Sequence, residues 1–178
     1  MLKRMKLICL LFSSMLCFAG NANATLIGDD IDVTWFFPDL GTVFATETVT
    51  VGAGMEIDCP GTSLLCPGFN APEATINIGD SSIRYDHPVI PTGFNSAAFN
   101  GFEFSDLDWV DAPGIITGFL LDTNIAGLDA SRVTFGDDFI RINLQGLAGN
   151  TTNRFFDLTL QVEHVPEPAT LALMGLGL

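Results

Sequence analysis

The stretch FDLTLQVE at residues 156–163 places an apolar side chain at every second position, with polar side chains between them. Successive side chains of a β-strand point to opposite faces, so this pattern predicts a strand with one buried and one wet face. The stretch IRINLQ at residues 140–145 alternates in the same way. A sheet with one apolar face must bury that face against another layer, which favours a packed all-β fold.

Shorter runs of the same kind occur along the chain, separated by Gly, Pro, Asn and Asp, at residues 32–36, 43–51, 74–78, 81–85, 99–104, 115–121 and 132–135. The dipeptide Gly136-Asp137 between two such runs is typical of a hairpin. No stretch in the body of the chain has the i, i+3, i+4 spacing of a helix. The sequence therefore predicts about nine strands in an antiparallel β-sandwich of jelly-roll type. A closed barrel is the alternative.

The first 24 residues have the pattern of a secretory signal peptide. Lys3, Arg4 and Lys6 precede an apolar stretch at residues 7–19, and the small residues Ala22 and Ala24 form a cleavage site. We expect a signal peptide at 1–24 and a single sandwich domain at 25–164.

Signal removal leaves a strongly acidic chain. The full sequence has 7 Lys and Arg and 21 Asp and Glu. Three of the basic residues and none of the acidic ones lie before residue 25, so the mature net charge is 4 − 21 = −17. A polyanion is repelled by such a chain, which excludes nucleic acid as a partner.

Two cysteines remain after signal removal, Cys59 and Cys66, in a loop rich in Pro and Gly. In an exported protein such a pair predicts a disulfide. Closing this small loop contributes about 2.5 kcal/mol in the chain-entropy model. A zinc site is the less favoured alternative, because no histidine lies near the two cysteines.

The C-terminal segment opens with Pro166, Glu167 and Pro168 and continues into an apolar run at 169–178. Neither proline has a backbone donor, so the preceding strand ends here. The segment resembles the PEP-CTERM sorting signal of exported bacterial proteins. That resemblance implies recognition of the Pro-Glu-Pro residues by exosortase, a membrane protease, and transient membrane anchoring through a short apolar helix.

The family pattern continues with a complete transmembrane helix and a basic cluster. Ten residues follow Pro168, which make about 15 Å of helix, whereas a span takes ~20 residues. The sorting segment at 165–178 is therefore expected to be truncated, with an apolar run ending in Arg or Lys beyond Leu178.

The body of the chain also resembles a recurring group of secreted PEP-CTERM proteins. The matching stretches are TVTVG at 48–52, FNGFEFSDLD at 99–108, and SRVTF at 131–135 through NLQGL at 143–147. The resemblance implies export and brings no activity with it. The chain has two histidines, His87 and His164, and neither lies in a catalytic signature. We therefore expect a protein that is not an enzyme and has no resident cofactor. A secreted hydrolase with a carboxylate pair, or with a carboxylate beside His87, is a further alternative.

Calcium is the ligand that the composition best allows. Asp-rich stretches lie in or beside turns at residues 29–32, 106–111 and 136–138, and Ca²⁺ binds carboxylate and carbonyl oxygens. The candidate ligands are Asp106, Asp108 and Asp111. The favoured interpretation is that these residues are turn formers and solubilising charges.

The overall expectation is an exported protein of the cell surface or extracellular matrix with a structural or adhesive role. A carbohydrate-binding module, calcium-dependent or not, is the alternative, with extracellular polysaccharide as its partner. A carbohydrate-binding module requires Tyr85, Phe102 and Trp109 on an exposed sheet face. Aromatic residues in strands are more often buried in the core.

Overall fold

The computed structural model describes residues 25–68, 73–88, 93–110, 113–149 and 153–164. The predicted signal peptide with Ala22 and Ala24, the segment 165–178 with its Pro-Glu-Pro residues and predicted helix, and Asp111 lie outside these ranges. The predicted boundaries at 24 and 164 thus remain predictions.

The described residues form ten strands and two short 3₁₀ turns. The strands are β1 (Asp30–Phe36), β2 (Val43–Thr50), β3 (Ile57–Asp58), β4 (Thr75–Ile78), β5 (Ser82–His87), β6 (Gly101–Ser105), β7 (Gly114–Thr123), β8 (Val133–Phe135), β9 (Phe139–Asn143) and β10 (Arg154–His164). The turns are Cys66–Gly68 and Ala130–Arg132. The strand missing from the sequence prediction is β3, whose two residues are too few to show an alternation.

The strands pair into two antiparallel sheets of five. The first sheet has the order β2-β1-β6-β9-β8 and the second has the order β3-β4-β5-β10-β7. Each sheet has two edge strands, so neither closes into a barrel. The predicted all-β antiparallel fold is confirmed, and the predicted hairpin is formed by β8 and β9 around Gly136.

The longest strand, β10, lies between β5 and β7 in the second sheet. Its apolar positions Phe156, Leu158 and Leu160 are buried, and the polar positions between them face outward. The alternation in the sequence therefore predicted correctly which face of this sheet is buried and which faces solvent.

The aromatic side chains proposed as a sugar platform lie in the core between the sheets. Tyr85 and Phe102 are 1% exposed and Trp109 is 6% exposed. Tyr85 of the second sheet lies 5.4 Å from Phe102 of the first, measured between ring centroids. A sugar cannot stack on rings enclosed in this way, so the carbohydrate-binding alternative is wrong for these three residues.

Candidate functional site

The predicted disulfide between Cys59 and Cys66 is present, with its Cα atoms 5.4 Å apart. Cys59 follows β3 directly, and Cys66 begins a 3₁₀ turn. We call the segment between them, residues 59–66, the disulfide loop.

The disulfide loop connects the two sheets along one side of the sandwich. It leaves β3, an edge strand of the second sheet, and contacts β2, an edge strand of the first. The Glu47 carboxylate on β2 accepts hydrogen bonds from the Ser63 hydroxyl and from the Leu64 amide, the latter at 3.0 Å. Leu65 is fully buried in the shared core. The loop thus covers the gap between the two edge strands.

An open pocket of about 460 Å³ lies against the disulfide loop. Its lining is Cys59, Pro60, Gly61, Thr62, Ser63, Leu64, Cys66 and Pro67. None of these lining residues can act as a general acid or base, because the two cysteines are bonded to each other. The Ser63 hydroxyl donates to the Glu47 carboxylate, and no histidine lies in this lining to act as the base that a nucleophilic serine uses.

A partly open aromatic pair lies at the β1–β2 edge of the first sheet. Phe44 is 55% exposed, and its ring centroid lies 5.2 Å from that of Trp35. In the register, Trp35 pairs with Ala45 and Phe36 pairs with Val43, so Phe44 is the extra residue of a β-bulge. A bulge redirects a side chain that strict alternation would place elsewhere. Sequence reasoning missed this pair, because its period-two pattern carries no sign of the bulge.

Three aspartates gather where two distant turns meet. The Asp108 amide donates to the Asp29 carboxylate at 2.8 Å, and Asp106 takes a left-handed φ of 62° in the same turn. Partial burial raises the pKa of Asp29, and the charges of Asp108 and Asp106 raise it further. The hydrogen bond from the Asp108 amide opposes this shift. Sequence reasoning named the turns of Asp29 and Asp108 separately and did not bring them together, because Asp29 lies 79 positions before Asp108.

The structure supplies no further support for the calcium hypothesis. Asp106 and Asp108 are both exposed, and Asp111 lies outside the described residues. Within the described ranges, no group of three His, Cys, Asp or Glu side chains is arranged to hold a metal ion. Calcium binding remains a prediction.

A buried polar cluster lies where β5 ends and β10 begins. His87 pairs with Arg154 across the two strands, and each is 2% exposed. The Arg154 guanidinium donates to the Ala148 carbonyl. Burial lowers the pKa of Arg154 and raises that of Tyr85, whose ring lies 5.9 Å from the His87 ring.

This cluster does not have the arrangement that the hydrolase alternative needs. The carboxylate next to His87 in the sequence, Asp86, lies on the outer face of the sheet and binds Arg84 at 2.6 Å. His87 faces the core and is closed to a substrate from solvent. His164, the other histidine, is exposed at the end of β10.

The sorting segment joins the fold without an intervening linker. β10 ends at His164, which pairs with Gly114 of β7. A family model described as the PEP-CTERM protein-sorting motif matches residues 164–178. The chain carries a PEP-CTERM sorting motif. This motif marks an exported protein that an exosortase-type membrane enzyme processes and sorts to the cell surface.

The PEP-CTERM match covers the C-terminal segment alone. No curated protein and no solved structure matches the chain. Among the residues that the structure describes, none of the helical turns is long or apolar enough to cross a membrane.

Removing the disulfide tests how strongly the disulfide loop stabilises the sandwich. We expect Cys59→Ser combined with Cys66→Ser to lower the free energy of unfolding by about 2.5 kcal/mol, because the unfolded chain gains loop entropy. The measurement is urea unfolding of the mature domain. Glu47→Gln is the matched variant, which keeps the disulfide and weakens a charged hydrogen bond, for an expected loss of about 1 kcal/mol. An unchanged urea midpoint in the double variant would contradict a stabilising role.

The raised pKa of Asp29 gives the fold a specific pH dependence. A carboxyl whose pKa is higher in the folded state binds more protons there, so its ionisation costs stability as the pH rises through that pKa. We expect Asp29→Asn to raise the melting temperature at pH 7, because the amide oxygen still accepts the Asp108 hydrogen bond. The difference should vanish below about pH 3, where the carboxyl is protonated in both states.

The control for Asp29 is Asp58→Asn, which removes an exposed carboxylate and so corrects for the change in net charge. An Asp29→Asn variant that melts like wild type at pH 7 contradicts the raised pKa. Millimolar Ca²⁺ in the same melts tests the calcium hypothesis. That hypothesis requires a higher midpoint for wild type that a chelator reverses, and an unchanged midpoint leaves the aspartates as turn residues.

Proposed function

We propose that this protein is a non-catalytic component of the cell surface or extracellular matrix, delivered there by an exosortase-type enzyme, with a structural or adhesive role. The observation that carries the proposal is the PEP-CTERM match, which begins at the last residue of β10, the final strand of the second sheet in the sequence. This arrangement is typical of an exported domain that carries its sorting signal at the C-terminus.

The acid and base groups among the described residues favour an exported domain that is not catalytic. His87 faces the core, and the pocket at the disulfide loop is lined by residues without acid or base function. The outward carboxylates Asp86 and Glu103 are held by Arg84 and Arg141. These arrangements stabilise a sheet surface, and Glu47, the carboxylate bonded to Ser63 of the pocket lining, holds the disulfide loop to β2.

The net negative charge is compatible with a role outside the cell. A mature net charge of −17 keeps copies apart in solution and repels anionic polymers. Adhesion by this surface therefore depends on neutral or apolar contacts, or on bridging cations.

Replacing Pro166, Glu167 and Pro168 with alanine tests the sorting role. We expect the variant to accumulate unprocessed and associated with the membrane fraction, because the enzyme loses its recognition residues. The measurement is fractionation with immunoblotting of the full-length protein, in a host with the exosortase-type enzyme and in one without it. Asp137→Asn in the turn before β9 is the matched control and should sort as wild type. A triple variant that reaches the surface at the wild-type level contradicts the proposal.

A second candidate function is carbohydrate binding at the Trp35–Phe44 pair. Phe44 is more than half exposed at a bulge beside a second aromatic ring whose plane is tilted by 49°, and the exposed Phe44 ring offers an apolar face to a sugar. The negative surface favours neutral polysaccharides over acidic ones.

Phe44→Ala tests this second candidate by affinity electrophoresis in gels that contain neutral extracellular polysaccharide. We expect wild type to be retarded and the variant to migrate freely, because the stacking face is lost. Phe135→Ala is the matched control, since Phe135 is 39% exposed and packs against Phe119 at another edge. Equal migration of wild type in gels with and without polysaccharide contradicts this candidate.

A further inference from the structure

The sorting motif begins inside the folded domain. The family match starts at residue 164, and His164 is the last paired residue of β10. Pro166 follows two residues later in the sequence, and two residues of chain span at most about 7 Å. An enzyme that binds the Pro-Glu-Pro residues must therefore work against the edge of the sandwich.

This proximity creates a conflict over backbone hydrogen bonds. A peptide bound in extended form offers its main-chain groups to the protein that binds it. The residues just before the motif already pair with β7, as Glu163 with Ile115 and His164 with Gly114. They cannot pair fully with β7 and lie in an enzyme cleft at the same time.

The last three residues of β10 are weakly attached to β7. A bulge interrupts the register between Gln161 and Val162, and three pairs follow it. Before the bulge, Leu158 and Leu160 are buried, whereas Glu163 and His164 after it are exposed and Val162 is half-buried. A strand end that buries little apolar surface opens locally at a small cost in free energy.

β7 has a second attachment that does not depend on the end of β10. The Ile116 amide donates to the Asp137 carbonyl at 2.9 Å, in the turn before β9. The start of β7 is thus held to the first sheet, and the sandwich keeps this edge when the last pairs with β10 separate.

We propose that residues 162–164 separate from β7 during sorting and form the N-terminal part of the site that the exosortase-type enzyme binds. This inference rests on the proposed sorting function and adds to it. The segment that the enzyme binds then begins at the bulge between Gln161 and Val162. Opening of the last strand pairs limits the rate at which the enzyme can bind the sorting motif.

A disulfide staple between β7 and the end of β10 tests the proposal. Residues directly opposite on antiparallel strands have Cα atoms about 4.5–5.5 Å apart, within the range that a disulfide spans. Ile115→Cys with Glu163→Cys locks the segment after the bulge, and Leu120→Cys with Thr159→Cys locks the same two strands before it. Both variants are made in the full-length protein and followed by pulse-chase in a host with the enzyme.

We expect the staple after the bulge to slow processing roughly tenfold or more, because it removes the open population that the enzyme binds. The control staple before the bulge should leave the rate unchanged. A short Gly-Ser linker inserted after His164 offers the enzyme main-chain groups in place of those of residues 162–164. It should therefore restore processing of the stapled variant, and without a staple it should accelerate processing because no strand pairs have to open. Thermal melts confirm that each variant is folded, and the linker variant without a staple gives an independent test if a stapled variant does not fold.

The outcomes separate this inference from the sorting function. Processing of the stapled variant at the wild-type rate, or failure of the linker to restore it, overturns the inference and leaves sorting intact. The absence of any acceleration by the linker alone also overturns it. Wild type that is equally unprocessed with and without the enzyme overturns the sorting function and this inference together.

Discussion

The structure depends on an aromatic layer that joins the two sheets through their central strands. Tyr85 on β5 stacks on Phe156 of β10 at 5.1 Å and lies 5.4 Å from Phe102 of β6 in the facing sheet. Each of these rings occupies an inward position of its strand, so their contact fixes which face of each sheet is buried. The polar residues of the same strands are thereby directed outward, and the acidic surface follows from this arrangement.

Different interactions cover the two sides of the sandwich where the edge strands of the sheets face one another. On the side of β2 and β3, the disulfide loop places Leu65 in the core and binds Glu47. On the side of β7 and β8, Phe119 packs against Phe135 with ring centroids 5.8 Å apart. A covalent bond that forms in an oxidising compartment thus completes the fold on one side, as suits an exported chain.

Two arginines of the sandwich are engaged within the fold. Arg84 binds Asp86 and Asp157 and lies 4.5 Å from the centre of the Phe155 ring. Arg141 binds Glu103 and lies over Phe139 in the first sheet. Because these guanidinium groups are engaged by carboxylates and rings, they add little positive potential to the surface. The chain therefore presents an acidic exterior to its partners.

Local patterns in the sequence determined nine of the ten described strands, the Gly136 hairpin, the Cys59–Cys66 disulfide and the sorting motif. Each depends on residues close together in the chain, where alternation, turn chemistry and compartment act directly. The tertiary structure alone decided the sheet order, the inclusion of Asp29 with Asp108, and the exposure of Phe44 at a bulge. These depend on register and on contacts between distant segments, and a period-two pattern does not specify which strands become neighbours.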